Sequence, residues 1–247
     1  MLRVRELVKE FDKVVIIDRA NFEVKEDEIV SLVGPNGVGK TTLVNLISGH
    51  LYPTSGTIEY RGKDITTATP YVRIKLGIAR NFQITNLFDG ATVLDNVRIC
   101  LFSIYGRIRN WVLSANHYKD VTEEAIHILE TFGLSDKANL LPDSLSEGDK
   151  KVLDTAMAFA LKAKFLLLDE PTSGVATADK FKVMDTIISA IKRQKMSCMI
   201  IEHDMDIVFD YSDRVLVLYG GEIIASGHPK EVMEQDKVKE ILFGVRG

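Results

Sequence analysis

Ile29-Val30-Ser31-Leu32-Val33-Gly34-Pro35-Asn36-Gly37-Val38-Gly39-Lys40-Thr41-Thr42-Leu43-Val44-Asn45-Leu46-Ile47-Ser48 is the stretch that decides how this chain folds. Its opening, Ile29 to Val33, is a nearly continuous apolar run of strand length, the pattern of a strand covered on both faces. Its end, Thr41 to Ser48, carries Leu43, Leu46 and Ile47 at helical spacing and stops at Gly49, as a helix with a glycine terminator does. Between them, Gly34 to Thr42 fits G-x-x-x-x-G-K-[ST], a loop built to hold phosphate. Glycines let successive backbone N–H groups turn inward around phosphate oxygens without Cβ clashes, and the helix start adds about half a positive charge there. In that geometry Lys40 bridges the β- and γ-phosphates, the Thr41 hydroxyl ligates Mg²⁺, and Thr42 meets the α-phosphate. Gly34, Pro35, Asn36, Gly37, Val38 and Gly39 supply the cradle.

Working outward, the residues before Ile29 read as short strands: Val4 to Val8, Val14 to Ile17 and Phe22 to Val24. Pro53-Thr54-Ser55-Gly56 breaks the chain, and Thr57 to Tyr60 reads as a strand entering the Arg61-Gly62 turn. From Thr92 to about Phe132 the pattern is helical, with Thr92 and Asp95 resembling a capping box. Strand signals return at Phe165 to Leu168, followed by a helix from Thr177 to about Ile191, a strand from Ser197 to Ile201, a short helix and a strand from Val215 to Leu218. That alternation predicts an α/β fold with a mostly parallel sheet. The segment near 90–160 interrupts it, and is expected to be a helical subdomain inserted into the core.

Composition narrows the class. The 247 residues hold 31 Lys+Arg against 35 Asp+Glu, a net charge of −4, with 46% hydrophobic and 27% charged side chains. Such a chain fills a core, so disorder and fibrous repeats are excluded. Net acidity argues against a broad basic face for duplex DNA, and no nucleic-acid partner is expected. No apolar run approaches the ~18 residues that span a bilayer, so a chain that neither crosses a membrane nor is exported is expected. Cys100 and Cys198 stand far apart among apolar neighbours, which fits a reducing compartment.

Leu166-Leu167-Leu168-Asp169-Glu170-Pro171 delivers two adjacent acids at the carboxyl end of an apolar strand, where α/β sheets place ligands. Asp169 suits Mg²⁺, and Glu170, projecting to the other side, suits the water that attacks a γ-phosphate. His203, after Met199-Ile200-Ile201-Glu202, also ends a strand and is placed to contact that phosphate.

Leu145-Ser146-Glu147-Gly148-Asp149 opens a helix some twenty residues before Asp169. With this, the set resembles the ATP-binding subunit of ABC transporters, whose helix-opening motif is usually L-S-G-G-Q. The likeness runs from Phe11 to about Pro229, in the family's order. It implies a P-loop NTPase core with an N-terminal antiparallel β subdomain and an inserted helical subdomain. The whole of 1–247 then forms a single ABC ATPase domain, with the core at 1–90 and 163–247 and the helical part at 91–162. The resemblance also implies ATP and Mg²⁺ as ligands, and a head-to-tail dimer in which Ser146 and Gly148 of one subunit touch the γ-phosphate held by the other. Gln83, in Arg80-Asn81-Phe82-Gln83, looks like the glutamine that senses Mg²⁺ and water and links to membrane subunits. Phe11 is similar to the aromatic on which adenine stacks, although a plain core phenylalanine remains an alternative.

Two departures stand out. Glu147 and Asp149 put acids near a polyphosphate, which weakens closure unless each turns away or meets a basic partner. Ser173-Gly174-Val175-Ala176 lacks the aspartate of the commoner S-A-L-D loop. Within the family, Ala79 to Gln83, the Gly174-Val175-Ala176 loop and the long insert after Asn96 resemble the ATPases of branched-chain and other hydrophobic amino-acid importers. This implies permease subunits, an indirect link to an external solute-binding protein, and a cytoplasmic position on the inner face of the membrane. Competing readings are an ATPase for another cargo such as urea or a lipid-related solute, a soluble ABC switch, and a P-loop kinase. Val97 to Lys119 holds Arg98, Arg107, Arg109 and Lys119 with Phe102, Tyr105, Trp111 and Tyr118, and is either a membrane or permease contact or a solvated helical face.

Overall fold

The computed structural model describes residues 1–81, 87–106 and 118–244. In chain order the elements are β1 (Leu2–Phe11), β2 (Val14–Val24), β3 (Ile29–Val33), α1 (Lys40–Ser48), β4 (Ser55–Tyr60), β5 (Lys63–Asp64), α2 (Pro70–Leu76) and β6 (Ile78–Arg80). There follow α3 (Val93–Ile104), α4 (Lys119–Thr131), α5 (Glu147–Ala160), β7 (Phe165–Asp169), α6 (Thr177–Arg193) and β8 (Ser197–Ile201). The chain ends with α7 (Met205–Tyr211), β9 (Arg214–Tyr219), β10 (Glu222–Gly227), α8 (Pro229–Met233) and α9 (Asp236–Phe243). These form two compact units, one of Met1–Arg73 with the chain from Lys195 onward, the other Ile74–Gln194.

The first unit carries two sheets. β2-β1-β4-β5 is antiparallel throughout. In the other, β3 lies between β8 and β9 and runs parallel to both, and β10 closes the edge antiparallel to β9. All five residues of β3 are buried, which is why that segment shows no alternation. β1 and β2 form one long hairpin, where the sequence predicts two separate strands for 14–24. The pairing slips between Val4 and Leu7 and again before Lys9, and Glu6 and Arg19 adopt left-handed backbone (φ 46 and 45). Asn21 fills the bulge, accepting from Glu6 N at 2.9 Å and donating to Arg19 O at 2.7 Å. A bulge breaks the period-2 pattern without ending the strand.

In the second unit β6 and β7 pair in parallel, Ile78 opposite Phe165 and Arg80 opposite Leu167. α5 packs on these strands and on α3, α4 and α6. The helical stretch expected from 92 to 132 is two helices. Thr92 Oγ1 caps α3 by accepting from Asp95 N at 3.1 Å, α3 ends at Ile104 with Tyr105 as its C-cap, and α4 starts at Lys119. Arg107, Arg109 and Trp111 lie outside the described residues. Arg98 and Phe102 are buried, Arg98 pairing with Asp95 at 3.0 Å and Phe102 meeting Tyr118 edge-on at 5.3 Å. Those two therefore belong to the packing of the unit and not to a solvated or membrane-facing surface. α2 and β6 are absent from the expectations above, being too short to show periodicity. Among the described residues no helix is long and apolar enough to cross a membrane.

Candidate functional site

The phosphate-type loop leaves β3 at Gly34, where an added Cβ would lie 2.3 Å from Leu218 O of β9, so only glycine fits. Gly39 precedes α1 with φ 107, and a Cβ there would press on Ile16 and Ile17 at 3.0–3.1 Å. Lys40, the first residue of α1, is buried, and its ammonium donates to Gly34 O at 2.7 Å and Pro35 O at 3.0 Å. A desolvated cation is thus held on the loop's own carbonyls. The first turn of α1 has no acidic side chain, so its N-terminal partial charge stays available to an anion. Asn36, Gly37 and Thr41 are exposed, Pro35, Val38 and Thr42 half-buried.

α1 is held from its other end by a residue with no motif to announce it. Arg73 is fully buried and donates to Leu46 O (2.5 Å), Ile47 O (2.6 Å), Ile65 O (2.7 Å), Ala68 O (3.0 Å) and Thr66 O (3.1 Å). The helix-end carbonyls are orphans that need donors, and one guanidinium satisfies two of them. Burial lowers its pKa to about 10, so it stays charged at neutral pH.

His203 follows β8 and is exposed. It lines a cavity of about 290 Å³ with Gly34, Pro35, Asn36, Glu202 and Phe243. The structure therefore brings His203 to the loop, as its position at a strand end predicts. Phe11 is 41% exposed with the Lys9 ammonium 4.7 Å from its ring centroid. The core alternative for Phe11 is thereby removed.

In the second unit Asp169 closes β7 at 1% exposure. Its backbone N–H donates to Asn81 Oδ1 at 2.7 Å, and Arg80 Nη2 stands 2.6 Å from its carboxylate. Consecutive residues at the end of β6 thus clamp the strand end that the sequence marks for a metal. Neither carries a local sequence signal for this, because the partner is 88 or more positions away. Gln83 lies outside the described residues. Glu170 has φ 50, a left-handed conformation that a side chain of this size adopts at a cost. It turns the chain, with Ser173 N donating to Glu170 O at 3.0 Å. Replacing Arg80 by Met is expected to leave a buried carboxylate without its cation, costing about 3 kcal/mol. Urea unfolding checks this, with most of the loss absent when Asp169→Asn is present as well; an equal loss in both backgrounds would contradict it.

Ser146 is the N-cap of α5. Its hydroxyl accepts from Asp149 N at 3.2 Å and donates to Asp149 Oδ2 at 2.8 Å. Lys137 stands on the same carboxylate at 2.7 Å, and Lys150 on Glu147 at 2.8 Å. Both acids of this segment therefore meet basic partners. Burial pushes the Asp149 carboxyl up, but Lys137 and Ser146 more than offset it and hold it below the usual range. Gly148 packs against α6, where a Cβ would come within 3.0 Å of Val183. Ser146, Gly148, Lys137, Gly174 and Lys182 line a cavity of about 510 Å³.

Comparison with known proteins gives these features a common context. Residues 17–173 match the family model described as ABC transporter. A probable branched-chain amino acid transport ATP-binding protein, LivG, of Archaeoglobus fulgidus is 33% identical over 100% of this chain and 96% of its own. The high-affinity LivG of Escherichia coli is 30% identical over 99% and 98%. Among solved structures, the ADP conformation of an ATP-binding cassette of an ABC transporter superposes with a TM-score of 0.87 at 30% identity, covering 99% of each chain. With the likeness running the length of both partners, this chain belongs to the ABC transporter family as one of its ATP-binding, ATP-hydrolysing subunits.

Proposed function

We propose that the chain drives uptake of branched-chain or other hydrophobic amino acids through membrane permease subunits, working from the cytoplasmic face. The observation that carries the nucleotide part is Lys40 folded onto Gly34 O and Pro35 O beneath a helix start free of acids. The cargo is supported by the full-length likeness to LivG proteins. In this reading residues 34–42 grip the triphosphate, Lys40 leaving its carbonyls for the β- and γ-phosphates. Phe11 offers its exposed face to adenine. Glu170 orients the attacking water, and His203, beside the loop, steadies the γ-phosphate as charge develops on it. Gln83 takes the sensing role that the resemblance implies.

Mg²⁺ is proposed as the accompanying ion. Asp169 and the Thr41 hydroxyl are each hard oxygen donors of the kind that hold it together with phosphates, and Arg80, 2.6 Å from the Asp169 carboxylate, would have to share that group with it. Bound Mg²⁺ would neutralise phosphate charge during transfer. A second subunit, the same or different, is proposed to place its Ser146 and Gly148 on the γ-phosphate, with α5 aimed at it. The division into a core of 1–90 and 163–247 with 91–162 as helical subdomain is part of the same proposal, supported by the packing of α3, α4 and α5 on one another.

The test is recovery of this chain from native membranes by gentle extraction, followed by reconstitution of whatever hydrophobic subunits accompany it. ATP-dependent accumulation of leucine or isoleucine is the expected result. Intact ATP turnover with no accumulation of any hydrophobic amino acid would overturn the cargo, and a chain found only without membrane partners would overturn the transport role.

A further inference from the structure

The α5 N-terminus of this chain is chemically unusual. Its first turn holds Glu147 and Asp149, and a carboxylate at a helix start occupies the place in the field that an arriving phosphate needs. Asp149 stands where the family motif has glutamine. Its Oδ2 receives both the Lys137 ammonium and the Ser146 hydroxyl, so a single acid oxygen fixes the hydroxyl's direction and is itself fixed by Lys137. Lys137 comes from a short 3-10 turn, Ser135–Lys137, that precedes α5. Both partners are mostly shielded, at 30% and 25% side-chain exposure. The other ionisable groups at this cavity are Glu147, paired with Lys150, and Asp179 and Lys182. Two cations, Lys137 and Lys182, and three anions, Glu147, Asp149 and Asp179, line the cavity, with Lys150 meeting Glu147 from outside the lining; removing Lys137 strips Asp149 of its cation.

We propose that Lys137 is a positioning residue for the nucleotide sandwich: by standing on Asp149 it cancels the acid that replaces glutamine, and so lets the Ser146 end of α5 accept a polyphosphate. This rests on the reading of Ser146 and Gly148 as the cap on a second subunit's nucleotide. The Ser146 hydroxyl donates its one proton to Asp149 Oδ2 and must leave that oxygen to reach a phosphate, an exchange that Lys137 eases by holding the carboxylate's charge.

The experiment uses the full-length chain carrying Glu170→Gln, with ATP-driven pairing followed by sedimentation velocity. Lys137→Met is expected to weaken pairing at least tenfold. In a chain that also carries Asp149→Gln, the same Lys137→Met change is expected to weaken it less than twofold, which also shows that the variant folds. In parallel, a carbon-detected NMR titration of the Asp149 carboxyl is expected to move upward in pH when Lys137 is replaced. Equal weakening in both backgrounds, or a carboxyl titration that does not move, would overturn the assignment to Lys137. A parent chain that binds ATP yet never pairs would instead refute the cap reading itself. Pairing of the parent with Lys137→Met unaffected refutes Lys137 alone.

Discussion

Changing Glu170 to Gln is expected to cut ATP hydrolysis by about 10²–10⁴-fold while leaving ATP binding intact, and to trap two chains around unhydrolysed nucleotide. The amide keeps the size and much of the hydrogen bonding of the carboxylate but cannot take a proton from water, and a positioned base contributes rates of that order. Glu170 sits in a left-handed conformation directly after buried Asp169, at the end of the strand. Phosphate release and sedimentation in ATP check both halves. Turnover within a few-fold of the parent would remove Glu170 from the reaction.

Changing Arg73 to Met is expected to be the most damaging substitution away from the reacting groups. It strips donors from five backbone carbonyls, two of them at the end of the helix that begins with Lys40. Each buried acceptor left unsatisfied costs about 1–3 kcal/mol before relaxation, so a net loss of about 3–5 kcal/mol is expected, lowering the melting temperature by about 10 °C or more. Arg73→Lys is expected to recover little, since one ammonium cannot reproduce a planar fork. A melting temperature within about 2 °C of the parent would show that these carbonyls find other donors.

What the sequence reveals follows from the range of its signals. Ile29–Val33 and Ser197–Ile201 are found at their observed limits, because fully buried parallel strands are uninterrupted apolar runs bounded by polar residues. The 34–42 loop is legible because backbone geometry restricts its residue types position by position. β2 is misread as two strands because the bulge at Arg19 interrupts alternation while hydrogen bonding continues. β6 is three residues long and exists because β7 offers it a partner, a long-range fact that no local pattern carries. The same holds for Arg80, Asn81, Lys137 and Arg73, whose roles come from partners brought near by folding. Glu147 and Asp149 are visible as departures from a motif, but the lysines that neutralise them are ordinary surface-type residues in the sequence.

The claim on which the account depends is that each triphosphate is gripped by the loop around Lys40 in one chain and capped by the Ser146 end of α5 from another. Mixing a Lys40→Ala chain with a Ser146→Arg chain, each inactive alone, tests it most directly. Steady-state ATPase activity that appears only in the mixture, from one composite site per mixed pair, is the predicted result. A mixture no more active than the sum of its two parts, while both chains remain folded and the Ser146→Arg chain still binds ATP, would contradict it.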